Sequence, residues 1–76
     1  MDYKQYIIRD PKVMLGKPII KGTRITVELI MRKLAGGCSV NDLLNSYPHL
    51  VREQINAAIE YAADTIANEI RLDDAA

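Results

Sequence analysis

"TVELIMRKLAGGCSVNDLLNSYP", residues 26–48, decides the fold. Thr26 is a good N-cap, and Glu28 falls in the first turn, where the helix dipole favours an anion. Val27, Ile30, Met31 and Leu34 recur at spacings of three and four, one face of a helix. Arg32 and Lys33 stand near its end, where the dipole favours cations. Gly36-Gly37 stops it, because glycine accepts the left-handed geometry past a helix C-terminus. Ser39 then caps a second helix, and Asp42 three residues on forms a capping box. Val40, Leu43, Leu44 and Tyr47 are its apolar positions, and Pro48 ends it.

Downstream, Ile55, Ala58, Ile59, Ala62, Ile66 and Ile70 extend the same periodicity, predicting a third helix from about Val51 to Leu72. Upstream, "YKQYIIRDP" (3–11) reads as a short strand ending in an Asp10-Pro11 turn. Gly16-Lys17-Pro18 predicts a second turn, followed by an extended piece that Gly22-Thr23 breaks, with Arg24-Ile25 placed to pair back. The expected fold is mainly α. A short N-terminal β-element precedes a three-helix, helix-turn-helix-like (homeodomain-like) domain with a long C-terminal helix. The chain reads as a single domain: 1–25 β-element and basic loop, 26–63 three-helix core, 64–76 C-terminal helix extension. Three small helices alone do not specify DNA binding.

The 76 residues are enough for one small domain, and the 49% apolar fraction is too high for a disordered one. A single cysteine leaves no internal disulfide and no Cys-based metal cluster, which suits a reducing cytoplasm. No apolar run reaches a membrane span, and no signal peptide opens the chain. Net charge is zero, yet residues 1–38 carry eight Lys and Arg against three acids (+5), and residues 39–76 carry two against seven (−5). That asymmetry fits either an anion-facing front or two halves that attract each other.

"GKPIIKGTRITV" (16–27) concentrates the basic residues. It is not a P-loop. Its lysine precedes the glycine, the helix cap comes only at Thr26, and no βαβ sheet surrounds it. Two readings stay open. Lys17, Lys21 and Arg24 contact a phosphate backbone, or Thr23 and Arg24 tie the loop to the helices while Ile19, Ile20 and Ile25 cover the core. Cys38, in a tight turn, reads as a small buried thiol. His49, alone, reads as packing or capping between helices, with no companion ligands for a metal. Asp42, Glu60 and Asp64 lie on exposed helix faces without a pocket-forming sheet. No cofactor is implied, and an enzyme is not expected.

Asp10-Pro11, Gly16-Lys17-Pro18, Lys21-Gly22-Thr23-Arg24-Ile25, Val27, Gly37, Ser39, Tyr47-Pro48, Leu50, Ile55, Ala58 and Tyr61-Ala62 together resemble the bacterial domain-of-unknown-function 433 family, over roughly residues 5–63. The resemblance implies a helix-turn-helix-related fold and an antitoxin role of the VapB-like kind. It further implies a PIN-like ribonuclease toxin as partner and binding of the protein's own promoter as a dimer. No catalytic residues carry over. Two departures stand out. Leu15 replaces a second glycine before Gly16. Val51 replaces a Ser or Thr before the last helix, a lost cap of about 1 kcal/mol that leaves Gln54 without a hydroxyl to reciprocate.

On the last helix, the expected exposed face (Glu53, Asn56, Glu60, Asp64) would repel phosphates, which argues against it as a major-groove reader. If double-stranded DNA is bound, the phosphate contacts fall to Lys17, Lys21, Arg24, Arg32, Lys33 and Arg52. The helix, about 33 Å long at 1.5 Å per residue, outruns a domain about 24 Å across. Ile59, Ala62, Ile66, Ile70 and Leu72 therefore read as an interface, to a homodimer mate or to a toxin. The alternative cover is the N-terminal strand folded back. The acidic end (Glu69, Asp73, Asp74) reads as a solvated tail or as a complement to a basic cleft.

Overall fold

The computed structural model describes the backbone of residues 2–74 and the side chains of residues 2–68. It is mainly helical, with two short strands, β1 (Ile7–Ile8) and β2 (Ile19–Ile20), before three helices, α1 (Val27–Ala35), α2 (Val40–Ser46) and α3 (Arg52–Asp74). Ile7 pairs with Ile20 and Ile8 with Ile19, antiparallel. On its other side β2 meets the chain returning toward α1: the Ile20 N–H donates to the Ile25 carbonyl at 2.9 Å, and Ile19 bridges Thr26. β2 is thus the middle ribbon, and Ile19 and Ile20 are 1% and 0% exposed.

The Lys21–Arg24 loop is built by its own residues. The Thr23 N–H donates to the Ile20 carbonyl at 3.0 Å, closing a turn whose Gly22 has φ +81°. Such a φ suits glycine, which has no Cβ to clash. The Thr23 hydroxyl donates to the same carbonyl at 2.8 Å and accepts from the Ile25 N–H at 3.0 Å. Thr23 therefore ties the loop to itself rather than to the helices.

The helix boundaries follow local chemistry. The Leu29 N–H donates to the Thr26 hydroxyl at 3.0 Å. Ser39 and Asp42 form the full reciprocal capping box. Gly37, with φ +105°, ends α1 in a Schellman arrangement: the Cys38 N–H reaches the Lys33 carbonyl and the Gly37 N–H the Leu34 carbonyl. At α3 the Gln54 side chain accepts from the Val51 N–H at 2.8 Å. Half of a capping box thus survives without the hydroxyl that Val51 lacks.

α1 packs on α3, and β1 and α2 also contact α3. The core joins Ile30, Leu43, Leu50, Ile55, Ala57 and Ala58 to Ile7, Ile20, Ile25 and Val27. Met31, Leu34, Val40, Leu44, Tyr47, Ile59 and Ala62 pack around it half-buried. The long axis of the molecule is 44 Å, against 30 and 22 Å across. The 23 residues of α3 account for about 34 Å of that length.

Several expectations need correction. Residues 3–11 do not form one strand. Tyr3–Gln5 is a 3-10 turn capped by the Asp2 carboxylate, which accepts from the Lys4 N–H, and only Ile7–Ile8 is extended. The second turn comes earlier than expected, at Met14–Gly16, and Lys17 is already extended. His49 is exposed and makes no hydrogen bond or ion pair among the described residues, while Cys38 is half-buried.

Met14, Leu15 and Gly16 all have positive φ (49°, 59° and 78°). For Met14 and Leu15 the left-handed region costs roughly 1–2 kcal/mol each. Hydrogen bonds hold the posture: the Lys12 N–H to the Asp10 carboxylate, Val13 N–H to Asp10 O, Gly16 N–H to Val13 O and Lys17 N–H to Met14 O. The Leu15 side chain is 93% exposed.

Glu28 ties this loop to α1. One carboxylate oxygen accepts from Lys17 Nζ and the other from Arg32 Nε, each at 3.0 Å. The Lys17 bond, then the Arg32 bond, hold its carboxyl below the ordinary glutamate value of 4.5.

Two measurements test this architecture. Thr23→Val should lower stability by about 1–2 kcal/mol, the worth of one or two net hydrogen bonds, read as a fall in Tm at pH 7. Glu28 is depressed in the folded state, so its contribution is present above pH 4.5 and lost as pH falls through the lower folded value. Between pH 5 and pH 3, Glu28→Gln should therefore flatten the acid loss of stability in urea titrations. An unchanged slope would show that the clamp carries no linkage.

Candidate functional site

Past the core, α3 runs on beside the N-terminus of α1, leaving an open groove of about 260 Å³. Val27 and Glu28 of α1 form one wall, and Tyr61, Ala62, Thr65 and Ile66 of α3 the other. Pro18 and Arg9 complete it from the β-element. The walls are apolar and the polar groups stand at the rim. Thr65 spends its hydroxyl on the Tyr61 carbonyl at 3.0 Å. Arg9 Nε donates to the Tyr61 hydroxyl at 3.1 Å, a link between residues 52 apart in sequence. Tyr61 is also fixed by the Tyr3 ring, edge-on at 5.4 Å and 83°. Partial burial, and then a bond to Asp64, push the Tyr3 hydroxyl above its ordinary value, so it stays neutral.

The N-terminal segment therefore covers the Tyr61 side of α3, which is the fold-back anticipated as the alternative cover. It does not reach Ile66, which remains 54% exposed. Of the expected interface, Ile59 and Ala62 are half-buried at the edge of the core and Ile66 borders the groove. The Ile70 and Leu72 side chains, and those of Glu69, Asp73 and Asp74, lie outside the described residues.

The six cations expected at phosphates occupy separate settings. Lys17 and Arg32 share Glu28. Lys21 and Arg24 are exposed at the loop closed by Thr23. Lys33 is half-buried in the last turn of α1. Arg52, at the start of α3, donates to the Asn41 side chain of α2 at 2.7 Å. Asp42 is held below its ordinary value by the Ser39 N–H and hydroxyl, so its role is capping. Glu60 and Asp64 are exposed on α3. Among the described residues no group of three or more His, Cys, Asp or Glu could hold a metal ion, and no helix is long and apolar enough to cross a membrane.

Sequence reasoning missed Arg9, the Glu28 bridge and the exposed posture of Leu15. Glu28–Arg32 was visible as an i, i+4 pair. The Lys17 and Arg9 partnerships rest on tertiary placement and left no local signal.

The comparisons with known proteins agree with this architecture. Residues 7–62 match the family described as "Protein of unknown function (DUF433)". A protein of Sinorhizobium fredii, "Uncharacterized protein y4eO", is 32% identical over 68 residues, which are 90% of this chain and 29% of that protein. The chain thus spans less than a third of that relative's length. The crystal structure of a DUF433 member from Anabaena variabilis superposes with a TM-score of 0.80 at 29% identity, over 90% of this chain and 67% of the other. With most of its length matched by the family and its fold reproduced by a member, the chain belongs to the DUF433 family.

Proposed function

We propose that this chain is a non-catalytic, antitoxin-like binding module of a bacterial toxin–antitoxin pair. In this reading its α3 stripe is covered by another polypeptide, a homodimer mate or a ribonuclease-type toxin. One observation carries the reading: α3 outruns its globule and leaves Ile66 54% exposed beside an apolar groove. Burial of Ile66 and the groove against a partner would recover roughly 25 cal/mol per Å² of apolar area. Promoter binding would rest on Lys21 and Arg24, which are exposed and make no ion pair among the described residues.

A second reading, a dimerisation or protein-interaction module without DNA affinity, is favoured by the charge pairing. Glu28 engages two of the six candidate phosphate ligands, Lys17 and Arg32, and Arg52 is held by Asn41. Phosphate binding would have to compete with these contacts.

Co-expression with the neighbouring open reading frame is the test, scored by rescue of growth and by co-purification. Ile66→Asp should abolish the complex while lowering the Tm of the free chain only slightly, because half of the side chain is already in water. Retention of the complex would place the partner elsewhere. For DNA, Lys21→Ala with Arg24→Ala should reduce the slope of log K against log salt by about 2, one unit per lost phosphate contact. Absence of duplex binding in moderate salt would leave the interaction-module reading.

A further inference from the structure

We infer that the loop of residues 11–18 is a membrane-surface contact: Leu15, with Met14 beside it, enters the acyl boundary of an anionic lipid surface while the neighbouring lysines stay among its headgroups. This goes beyond the binding-module reading and does not depend on it.

The first observation is the posture of Leu15. It sits at φ +59°, ψ +29°, between Met14 at φ +49° and Gly16 at φ +78°. A left-handed turn residue facing solvent is ordinarily glycine or asparagine. Here it is a leucine at 93% exposure, with Met14 at 43%. The folded chain leaves both side chains without cover.

The second observation is the chemistry of the loop. Residues 11–18 read PKVMLGKP. Besides two lysines they hold only apolar residues, glycine and proline, with no acid, hydroxyl or amide side chain. Lys12 and Lys17 flank the tip and are exposed, and Lys12 makes no ion pair among the described residues. Arg9, exposed at the entry to the loop, gives its Nε to the Tyr61 hydroxyl. Two carboxylates belong to the same region. Asp10, at the base of the loop, accepts from the Lys12 N–H, and Glu28 is shared by Lys17 and Arg32. Four cations against two acids leave a positive excess, the sign that anionic headgroups attract.

The third observation is the backbone. Entering a lipid interface strips water from N–H groups, at a cost unless each has a partner. Pro11 and Pro18 have no N–H to strip. The N–H groups of Lys12, Val13, Gly16 and Lys17 are bonded within the loop, to the Asp10 carboxylate and to the carbonyls of Asp10, Val13 and Met14, at 2.9, 2.9, 3.1 and 3.1 Å.

Together these features select the partner. A protein needs a hole shaped for Leu15, and duplex DNA must unstack a base step to admit an apolar wedge. A lipid surface offers an apolar layer beneath anionic headgroups and needs no shaped counterpart. One apolar tip with a few cations gives reversible attachment on the scale of a single myristoyl chain, about 10⁴ M⁻¹.

The full chain tests this by cosedimentation with phosphatidylcholine vesicles carrying about one-third phosphatidylserine. Leu15→Asn is the decisive variant, because asparagine keeps the left-handed turn and removes the apolar tip. The expected result is wild-type binding that falls about tenfold or more in Leu15→Asn at unchanged Tm, and about fivefold in Lys12→Gln. Binding should also fall when phosphatidylserine is left out. The chain has no tryptophan, so Leu15→Trp should report entry as a blue-shifted emission on the same vesicles. A wild type that does not sediment at millimolar lipid, binding that Leu15→Asn leaves intact, equal binding to vesicles without phosphatidylserine, or a Leu15→Trp emission that keeps its value in water would overturn the inference. So would a self-association or a duplex binding that Leu15→Asn abolishes, which would assign the tip to a second copy or to DNA.

Discussion

The structure depends on a mismatch of length. α3 has 23 residues, while the helices available to cover it have nine and seven. A helix in water is marginal without an apolar face packed against something. The first part of α3 meets that condition inside the chain: Ile55, Ala57 and Ala58 are all at 0% exposure. Beyond Ala62 the chain has little left to offer. The N-terminal turn reaches Tyr61 through the Tyr3 ring and Arg9, and Ile66 stays open. The groove is the visible end of the core.

The β-element makes even that much coverage possible. Ile19 and Ile20 are buried in a ribbon bonded on both sides, by β1 and by residues 25–26. Thr23 closes the ribbon's tip and Glu28 clamps its approach through Lys17. The same clamp pairs two of the eight cations of residues 1–38, Lys17 and Arg32, with Glu28. Charge in this half is therefore partly structural, and Lys4, Lys12, Lys21 and Arg24 are exposed outside the clamp.

Much of this was legible in the residues because it is local. Thr26, the Ser39–Asp42 box and Gly37 act within four or five positions, and both ends of α1 and the start of α2 followed from them. The short β-element was legible, but the ends of its strands and the Tyr3–Gln5 turn were not, because pairing stops where the Lys21 N–H meets the Tyr6 carbonyl, a long-range contact. Gln54 as a cap was missed because it bonds a backbone N–H and needs no hydroxyl in return. Ala57 lies off the Ile55–Ile59–Ile66 stripe, yet it is buried, since α3 is packed over more of its circumference than one stripe implies. At the site, Ile66 was legible from periodicity. Leu15 was visible only as a departure from a glycine pattern, and its meaning needed the backbone angle.

Hydrogen exchange on the full chain at low and high protein concentration tests the central claim most directly. If a second copy covers the end of the core, amides of residues 63–68 gain protection as concentration rises, while those around Ile55 are slow throughout. Exchange of residues 63–68 that is the same at every concentration would contradict it.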